Sequence, residues 1–428
     1  MREIIVKLNP HAIYNDLATY GKKFGSVFTV FTPRPMVVLS DYEAIKEAFV
    51  SKADDFSQRP QQRFFELLSP TKDGGVAAAN GQSWQVRRRT AIGALRDLGM
   101  GRNIMEEKIK ISVLDYLAHL EELISEDGID FRWPIQGTTR LLESPLYFIA
   151  DQFPWVDKLP LIGYYSYGSI RKDMEKSHAF ARKSLERALD GYDPETEPNC
   201  FVQAFKQKIV STKQTELNEE QLLYICIDFF FAAQDTTTTT LRWAMIHLAE
   251  KQHIQDKLRS EILSVVGTSR LPSISDKPNL PYLSATIYEI LRTANILALN
   301  LPHEATVDTE VMGHKIPAKT YINADLHNVL AHDPHYKQPD QFSPERFLNA
   351  DGRTLNKEAV DRCIAFSMGR RQCAGESLAR MEIFLIVAAT IQKYRLSVPE
   401  GVTFDHTPVS FFALHPNKNI RIIVRPVA

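Results

Sequence analysis

Apolar residues recur at helical spacing along most of the chain. Between positions 105 and 124, Ile109, Val113, Leu117 and Leu120 fall three or four residues apart, and Gly128 ends the run. This spacing places the apolar side chains on one face of a helix. The same periodicity predicts helices at about 11–24, 165–190, 202–211, 219–250, 253–266, 282–293 and 376–393.

Short apolar or alternating runs near both ends of the chain predict a little β-structure. Residues 27–31 and 36–39 surround two prolines and are typical of a hairpin. Residues 410–414 and 420–424 flank a cluster of turn residues. We expect strands from the two ends to pair with each other in one small sheet.

The pattern therefore predicts a mainly α protein with a small β region (an α+β fold), in a single domain over residues 1–428. The β-rich part would comprise about 24–40 and 395–425, and the helix-rich part about 41–393. No internal repeat or low-complexity linker divides the chain.

Composition and charge exclude several classes of protein. With 44% hydrophobic and 24% charged residues, the chain is typical of a globular protein and not of a disordered one. Lys and Arg total 51 against 52 Asp and Glu, so no overall charge attracts nucleic acid. The apolar runs 222–233 and 383–391 are shorter than the roughly 18 residues of a membrane span, so we expect a soluble chain as written.

The four cysteines form no CxxC pair and are too few for a disulfide framework in a chain of 428 residues. One of them, Cys373, lies in FSMGRRQCAG, where Gly369 and Gly375 would let the backbone pass close to a flat macrocycle. The helix that begins after Cys373 offers N–H groups to a thiolate, and Arg371 suits a carboxylate. The alternative is a buried free cysteine in a glycine turn.

The loop contains the complete pattern F-x-x-G-x-R-x-C-x-G, with its fixed residues at Phe366, Gly369, Arg371, Cys373 and Gly375. Through this pattern the chain resembles the cytochrome P-450 superfamily. The resemblance implies that Cys373 is the thiolate ligand of haem b. It also implies that Phe366, Gly369, Arg371 and Gly375 contact the haem. The haem would lie between this loop and a long central helix, in a triangular, helix-rich fold.

Two upstream motifs occur in the order expected of that family. Glu289 and Arg292 form E-x-x-R on one helical face, and Arg346 lies in PERF. Alone, E-x-x-R usually marks a solvated ion pair. The resemblance implies instead that these three residues form a buried charged triad that supports the haem-side loop.

The run FFFAAQDTTTTTL at 229–241 contains five threonines, which are poor helix formers. One interpretation is a buried helix bent by hydroxyl groups that bond to its own carbonyls. The run also resembles the A-G-x-D-T-T of the family, although Ala233 stands where glycine is usual. The resemblance implies that Asp235 and Thr236 deliver protons to dioxygen.

Other residues resemble the microsomal family-2-like group of animals. Trp84 and Arg88 match a W-x-x-x-R that contacts haem propionates, and His303 stands where that group often has a propionate-binding residue. FSQRP, LRDLGMG and DFRWPIQ are also similar to that group. Any of these residues could otherwise be an ordinary helix or core residue.

The resemblance extends from about residue 9 to 426 and is interrupted once. The membrane anchor and proline-rich hinge of the family would precede the first residue. Only GTTRLLE joins Gln136 to Ser144, where relatives have a longer segment that includes a core helix. We expect either a truncated isoform or locally rebuilt helix packing.

The leading hypothesis is a monooxygenase that inserts one oxygen atom into a fatty acid, steroid or xenobiotic. No nucleotide-binding glycine motif is present, so electrons would come from a partner protein. The resemblance implies NADPH-cytochrome P-450 reductase as that partner, with cytochrome b5 as a second donor. The family implies a monomer with peripheral contact to the cytoplasmic face of the endoplasmic reticulum. The alternatives are a haem-thiolate isomerase and a non-catalytic remnant. The expected pocket residues are Phe229, Phe230, Ala233, Leu299, Phe411 and Phe412.

Overall fold

Helices make up most of the secondary structure. The computed structural model describes residues 13–129 and 168–427, except positions 33, 72, 100–102, 127, 410–412 and 418–419. The described helices are α1 (Ile13–Phe24), α2 (Tyr42–Lys46), α3 (Arg63–Leu68), α4 (Gly81–Asp97), α5 (Asn103–Leu123), α6 (Ser169–Leu189), α7 (Phe201–Thr212), α8 (Glu219–Glu250), α9 (Gln252–Val265), α10 (Pro281–Ala294), α11 (Leu326–His332), α12 (Lys357–Arg362) and α13 (Glu376–Lys393).

Within the described residues, short strands form three small sheets. The largest has the order β1-β2-β6-β3, and the other two are the pairs β4–β5 and β7–β8. The strands are β1 (Val27–Thr32), β2 (Arg34–Leu39), β3 (His303–Glu304), β4 (Thr309–Val311), β5 (His314–Ile316), β6 (Tyr321–Ala324), β7 (Tyr394–Ser397) and β8 (Ile423–Pro426). The predicted mainly α fold with a small β region is confirmed.

The predicted pairing of the terminal strands is wrong for the strands that the structure describes. β1 and β2 form the expected antiparallel hairpin, but β2 then pairs in parallel with β6. β8 pairs with β7, which places the buried Leu396 opposite the buried Val424. The apolar pattern of a strand predicts which of its faces is buried, but it does not predict which strand lies beside it. Here α13 leads directly into β7, and β7 pairs with β8. Of the strand expected at 410–414, only Ala413 and Leu414 are described, and neither is in a strand.

The long helix α8 runs through the centre and packs against α6, α7, α10 and α13. Both of its ends are buried, whereas its middle carries the exposed residues Phe230, Ala232 and Ala233. The helix continues through the threonine run, where the Thr236 and Thr240 hydroxyls donate to the carbonyls of Ala232 and Thr236 at 2.7 and 2.9 Å. Burial at both ends thus outweighs the poor helix propensity of the run. No described helix is both long and apolar enough to cross a membrane.

Glu289, Arg292 and Arg346 lie together beneath the main hydrophobic core. The Arg292 guanidinium donates two hydrogen bonds to the Glu289 carboxylate, at 2.8 and 2.9 Å, and Arg346 Nε lies 3.0 Å from the same carboxylate. Glu289 is 0% exposed and Arg292 is 2% exposed. The guanidinium of Arg292 also donates to the carbonyls of Leu330 and Pro339, so it joins α10 to two later segments. This is a buried, fully bonded ion cluster and not a solvated surface pair.

Replacing Arg292 with Ala should greatly reduce the yield of folded protein. The change leaves the Glu289 carboxylate with less compensation in the interior, which typically costs about 3–5 kcal/mol of the free energy of unfolding. That is a large part of a typical total of about 5–15 kcal/mol. Thermal unfolding and soluble yield are the measurements. Arg395→Ala, at an exposed pair with Asp256, is the control and should have little effect. Normal stability of the Arg292 variant would contradict a structural role for the cluster.

Candidate active site

The loop that carries Cys373 is held in shape by its own backbone and by the segment 47–51. The Cys373 N–H donates to the Phe366 carbonyl at 3.0 Å, which closes the loop. Gly369 has a φ of +79°, and a Cβ there would come within 1.8 Å of the Phe49 carbonyl oxygen. Only glycine fits at this position. At Gly375, by contrast, a Cβ would meet no protein atom within 4 Å, so packing within the protein does not require glycine there.

Cys373 lies three residues before the start of α13. Its side chain is accessible, yet burial raises the pKa of its thiol above the usual range. This combination is expected of a thiol that faces a space inside the fold. Backbone N–H groups of Gly375 and Glu376 and the charge of Arg88 act in the opposite direction and lower the pKa. These groups would stabilise a thiolate once a metal ion removes the proton.

Three guanidinium groups lie beside this loop without a carboxylate partner among the described residues. Arg371 is 7% exposed and stacks on Trp84, with its Cζ 3.6 Å from the ring centroid. Arg59 is 6% exposed, and its Nη1 donates to the carbonyls of Leu301 and Pro302. Arg88 donates to the Gln372 carbonyl, next to Cys373.

The three like charges disfavour one another. Burial, followed by the charges of Arg59 and Arg88, lowers the pKa of Arg371 to about 8. Burial, followed by the charge of Arg88, lowers the pKa of Arg59 to about 9. Arginine normally stays protonated at every physiological pH. A buried cluster of this kind therefore favours an anion that neutralises it.

The same cluster contains buried donors without acceptors. Arg59 Nε, Trp84 Nε1 and Arg371 Nη1 are shielded from solvent and have no hydrogen-bond partner in the part of the chain that the structure describes. Buried donors are rarely left unpaired in proteins. The two propionates of a haem would supply both the negative charge and the acceptors, so these residues fit the cofactor that the sequence predicts.

His303 lies in the same region, but its geometry limits what it can do. It is 2% exposed and stacks on Phe49, and its Nδ1 lies 2.6 Å from the Phe56 carbonyl. The carbonyl can only accept, so Nδ1 carries a hydrogen, and Nε2 is a donor only in the imidazolium form. Burial, and then Arg59, hold the pKa of His303 well below its usual value. Negative charge nearby would be needed to reverse that shift.

Asp235 and Thr236 lie in the partly exposed middle of α8. The Thr236 hydroxyl donates to the Ala232 carbonyl at 2.7 Å. The Asp235 carboxylate lies 3.4 Å from Nε2 of His415, a residue of the segment before β8. No Lys or Arg among the described residues forms an ion pair with Asp235, and the contact with His415 is its one recorded side-chain partner there.

The predicted pocket residues do not share one environment. Phe230 and Ala233 are exposed on the middle of α8, whereas Phe229 packs into the core, 5.4 Å from the ring of Phe201. Leu299 packs against the sheet core formed by β1 and β2. The remaining two, Phe411 and Phe412, lie outside the described residues, as does the interruption after Gln136.

Two residues near the site were not among the sequence predictions. Arg59 belongs to the FSQRP motif, which already resembled the family. Its place in that motif could have indicated that it lies near the site. His415 carries no motif, and only its contact with α8 reveals it.

Comparisons with known proteins agree with this geometry. The sequence profile described as cytochrome P-450 matches residues 4–140 and 131–424, in two pieces that overlap at 131–140. The chain is 32% identical to cytochrome P-450 2K4 of Oncorhynchus mykiss, over 94% of this chain and 86% of the relative. It is also 32% identical to cytochrome P-450 2B2 of Rattus norvegicus (92% and 85%) and to cytochrome P-450 2E1 of Sus scrofa (98% and 90%).

The thiol loop, the unneutralised arginines and the near full-length similarity lead to one conclusion. The chain belongs to the cytochrome P-450 family, with family-2 relatives, and is a haem-b-dependent, thiolate-ligated monooxygenase of xenobiotic or lipid substrates.

Proposed function

We propose that Cys373 is the iron ligand and that Arg59, Arg88, Arg371 and Trp84 hold the haem propionates. The observation that carries this assignment is the set of guanidinium groups beside the Cys373 loop, of which Arg59 and Arg371 are buried and Arg88 is half-buried, without a carboxylate partner among the described residues. Phe366, Gly369 and Gly375 shape the loop, and His303 joins the cluster as an imidazolium. When bound, a thiolate-ligated haem supplies the cleavage of dioxygen and the transfer of one oxygen atom.

Asp235 and Thr236 are proposed to manage the protons that this reaction consumes. Thr236 presents a hydroxyl on the middle of α8, held by its bond to Ala232, and Asp235 is the adjacent acid. A hydroxyl that already donates to a carbonyl can still accept a proton and pass one on. The apolar residues Phe230 and Ala233 on the same stretch would bind an apolar substrate and exclude water.

The oxygen-transfer reaction needs electrons, which in this family come from a redox partner. We propose the NADPH-dependent diflavin reductase for this chain, with cytochrome b5 as a second donor. We also propose that the protein is a monomer that contacts the cytoplasmic face of the endoplasmic reticulum. Co-sedimentation with anionic vesicles, and reduction by the purified reductase, would test these two proposals separately.

Replacing Cys373 with Ala should abolish the red-shifted Soret band of the reduced, carbon monoxide-bound protein. That band depends on thiolate ligation of the iron, and no other described cysteine lies in this loop. The measurement is the difference spectrum after expression with a haem precursor.

Cys363→Ala is the matched control for the ligand assignment. Cys363 is buried in the main core, its thiol points to the Tyr288 carbonyl at 3.7 Å, and burial raises its pKa to about 12. We expect the control to keep the band, with only a modest loss of stability. Retention of the band by the Cys373 variant, and its loss in the control, would reassign the ligand. Absence of the band in the unsubstituted protein would favour the non-catalytic alternative.

Thr236→Ala should keep the haem but convert a larger share of the consumed NADPH into hydrogen peroxide. Loss of a positioned proton donor typically slows a step by about 10²–10⁴-fold, which lets reduced oxygen escape. Product and peroxide formed per NADPH are the measurements, with lauric acid, testosterone and 7-ethoxycoumarin as probes of the three substrate classes. Thr238→Ala is the control, since this hydroxyl also donates to a carbonyl one turn back. Equal coupling in both variants would make Thr236 a structural threonine.

Turnover of a peroxide without NADPH or dioxygen would favour the isomerase alternative.

A further inference from the structure

One face of α8 carries polar and aromatic side chains at every fourth position. Asp235, Thr239, Trp243 and His247 follow one another at this interval, which aligns them along the helix. Residues 404–409 and 413–417, here called the C-terminal segment, lie along this face. The spacing is unusual because a buried helix face is ordinarily apolar.

The C-terminal segment is attached to the lower part of this face by specific contacts. Trp243 Nε1 donates to the Leu414 carbonyl at 2.7 Å, and His406 Nε2 lies 2.9 Å from the Glu250 carboxylate. The His406 ring is nearly parallel to the rings of Trp243 and His247, with centroids 6.0 and 5.6 Å away. The position of the segment relative to α8 is therefore well defined.

This attachment brings His415 to the upper part of the face, over Asp235 and Thr239. Its Nδ1 lies 3.0 Å from the Thr239 hydroxyl, and its Nε2 lies 3.4 Å from the Asp235 carboxylate. Thr236, Thr238 and Thr240 donate to carbonyls of α8, whereas Thr239 bonds to the imidazole instead. If the Thr239 hydroxyl donates to Nδ1, the ring hydrogen is on Nε2 and faces the carboxylate.

The contact with Asp235 is close but not yet well aligned. Nε2 of His415 is shielded from solvent and forms no hydrogen bond with any described residue. The side chains of His415 and Asp235 are 16% and 24% exposed, so little water competes for either group. A small rotation of the carboxylate would complete the bond. Catalytic hydrogen bonds are often long before substrate and cofactor are in place.

We propose that His415 is a positioning residue, which holds the Asp235 carboxylate in the orientation from which it serves Thr236. This proposal rests on the proposed role of Asp235. The imidazole keeps its Nε2 hydrogen throughout and donates it as a hydrogen bond, so no proton leaves the ring. The carboxylate can only accept, so it selects the tautomer with the hydrogen on Nε2, and the Thr239 hydroxyl then donates to Nδ1. The attachment at Trp243 and His406 fixes the distance. The C-terminal segment thus contributes to oxygen activation through its contact with Asp235.

Three variants of His415 separate its two contacts. Gln places an amide near the position of Nε2, Asn places one near Nδ1, and Leu fills the volume without either. In the holoprotein reconstituted with reductase and 7-ethoxycoumarin, we expect His415→Leu and His415→Asn to raise peroxide per NADPH by about three-fold. His415→Gln should remain close to the unsubstituted protein. Loss of coupling in the Gln variant equal to that in the Leu variant would overturn the proposal.

A second measurement does not depend on turnover. A double-mutant cycle measures whether the two side chains interact. It compares the loss of thermal unfolding midpoint in His415→Leu, in Asp235→Asn and in the double variant. We expect the double variant to lose less than the sum of the two single losses. Additive losses would mean that the two side chains do not interact, which also overturns the proposal.

His406→Ala is the matched control, because it weakens the attachment of the segment but leaves both contacts of His415 in place. If this variant uncouples turnover as much as His415→Leu, the effect belongs to the segment as a whole, and the specific role of His415 is refuted. Asp235→Asn separates this inference from the proposed function. Normal coupling in Asp235→Asn refutes the assignment of Asp235 and this proposal with it. Uncoupling there, together with normal coupling in His415→Leu, refutes only the proposal for His415.

Discussion

Three guanidinium groups that lie together without a carboxylate partner among the described residues are the constraint on which much of this structure depends. Arg59 and Arg371 are buried, and Arg88 is half-buried. Arg59, Arg88 and Arg371 come from the segment after the first helices, from α4 and from the Cys373 loop, so their positions tie distant parts of the chain to one site. Backbone carbonyls accept hydrogen bonds from each of the three, but the described residues provide no counter-charge. Mutual repulsion and burial therefore oppose folding until an anion binds. Cofactor binding and stability are linked here, because a ligand that binds only the native state shifts the folding equilibrium.

The cluster of Glu289, Arg292 and Arg346 also buries charge, but it balances that charge within the protein. There, a buried carboxylate meets two guanidinium groups inside the protein, and carbonyls take up the remaining donors. Charge is balanced without a ligand, so this cluster can hold α10 and the later segments together in the absence of the haem. One cluster is balanced within the scaffold, and we propose that the other is completed by the cofactor.

The helix α8 connects these structural devices to the chemistry. Its buried ends belong to two separate hydrophobic clusters, and its partly exposed middle carries Asp235 and Thr236. A helix fixed at both ends can hold a stretch of poor helix formers in place, and the threonine hydroxyls are then available for bonds inside and outside the helix. On the face of α8 toward the C-terminal segment, the side chains of Trp243 and Thr239 bond to that segment and not to α8 itself.

The amino-acid sequence by itself determined the helices with strong periodicity, the β1–β2 hairpin, the thiol loop and the order of the family motifs, because each depends on residues close together in the chain. The need for glycine at Gly369 was also visible, although its cause, the Phe49 carbonyl, was not. Only the tertiary structure decided which strands pair, that Phe229 and Leu299 pack into cores, and that Arg59 joins Arg371. It alone placed His415 on Asp235. Contacts between residues 180 positions apart depend on how whole helices pack, and a local pattern carries no information about that packing.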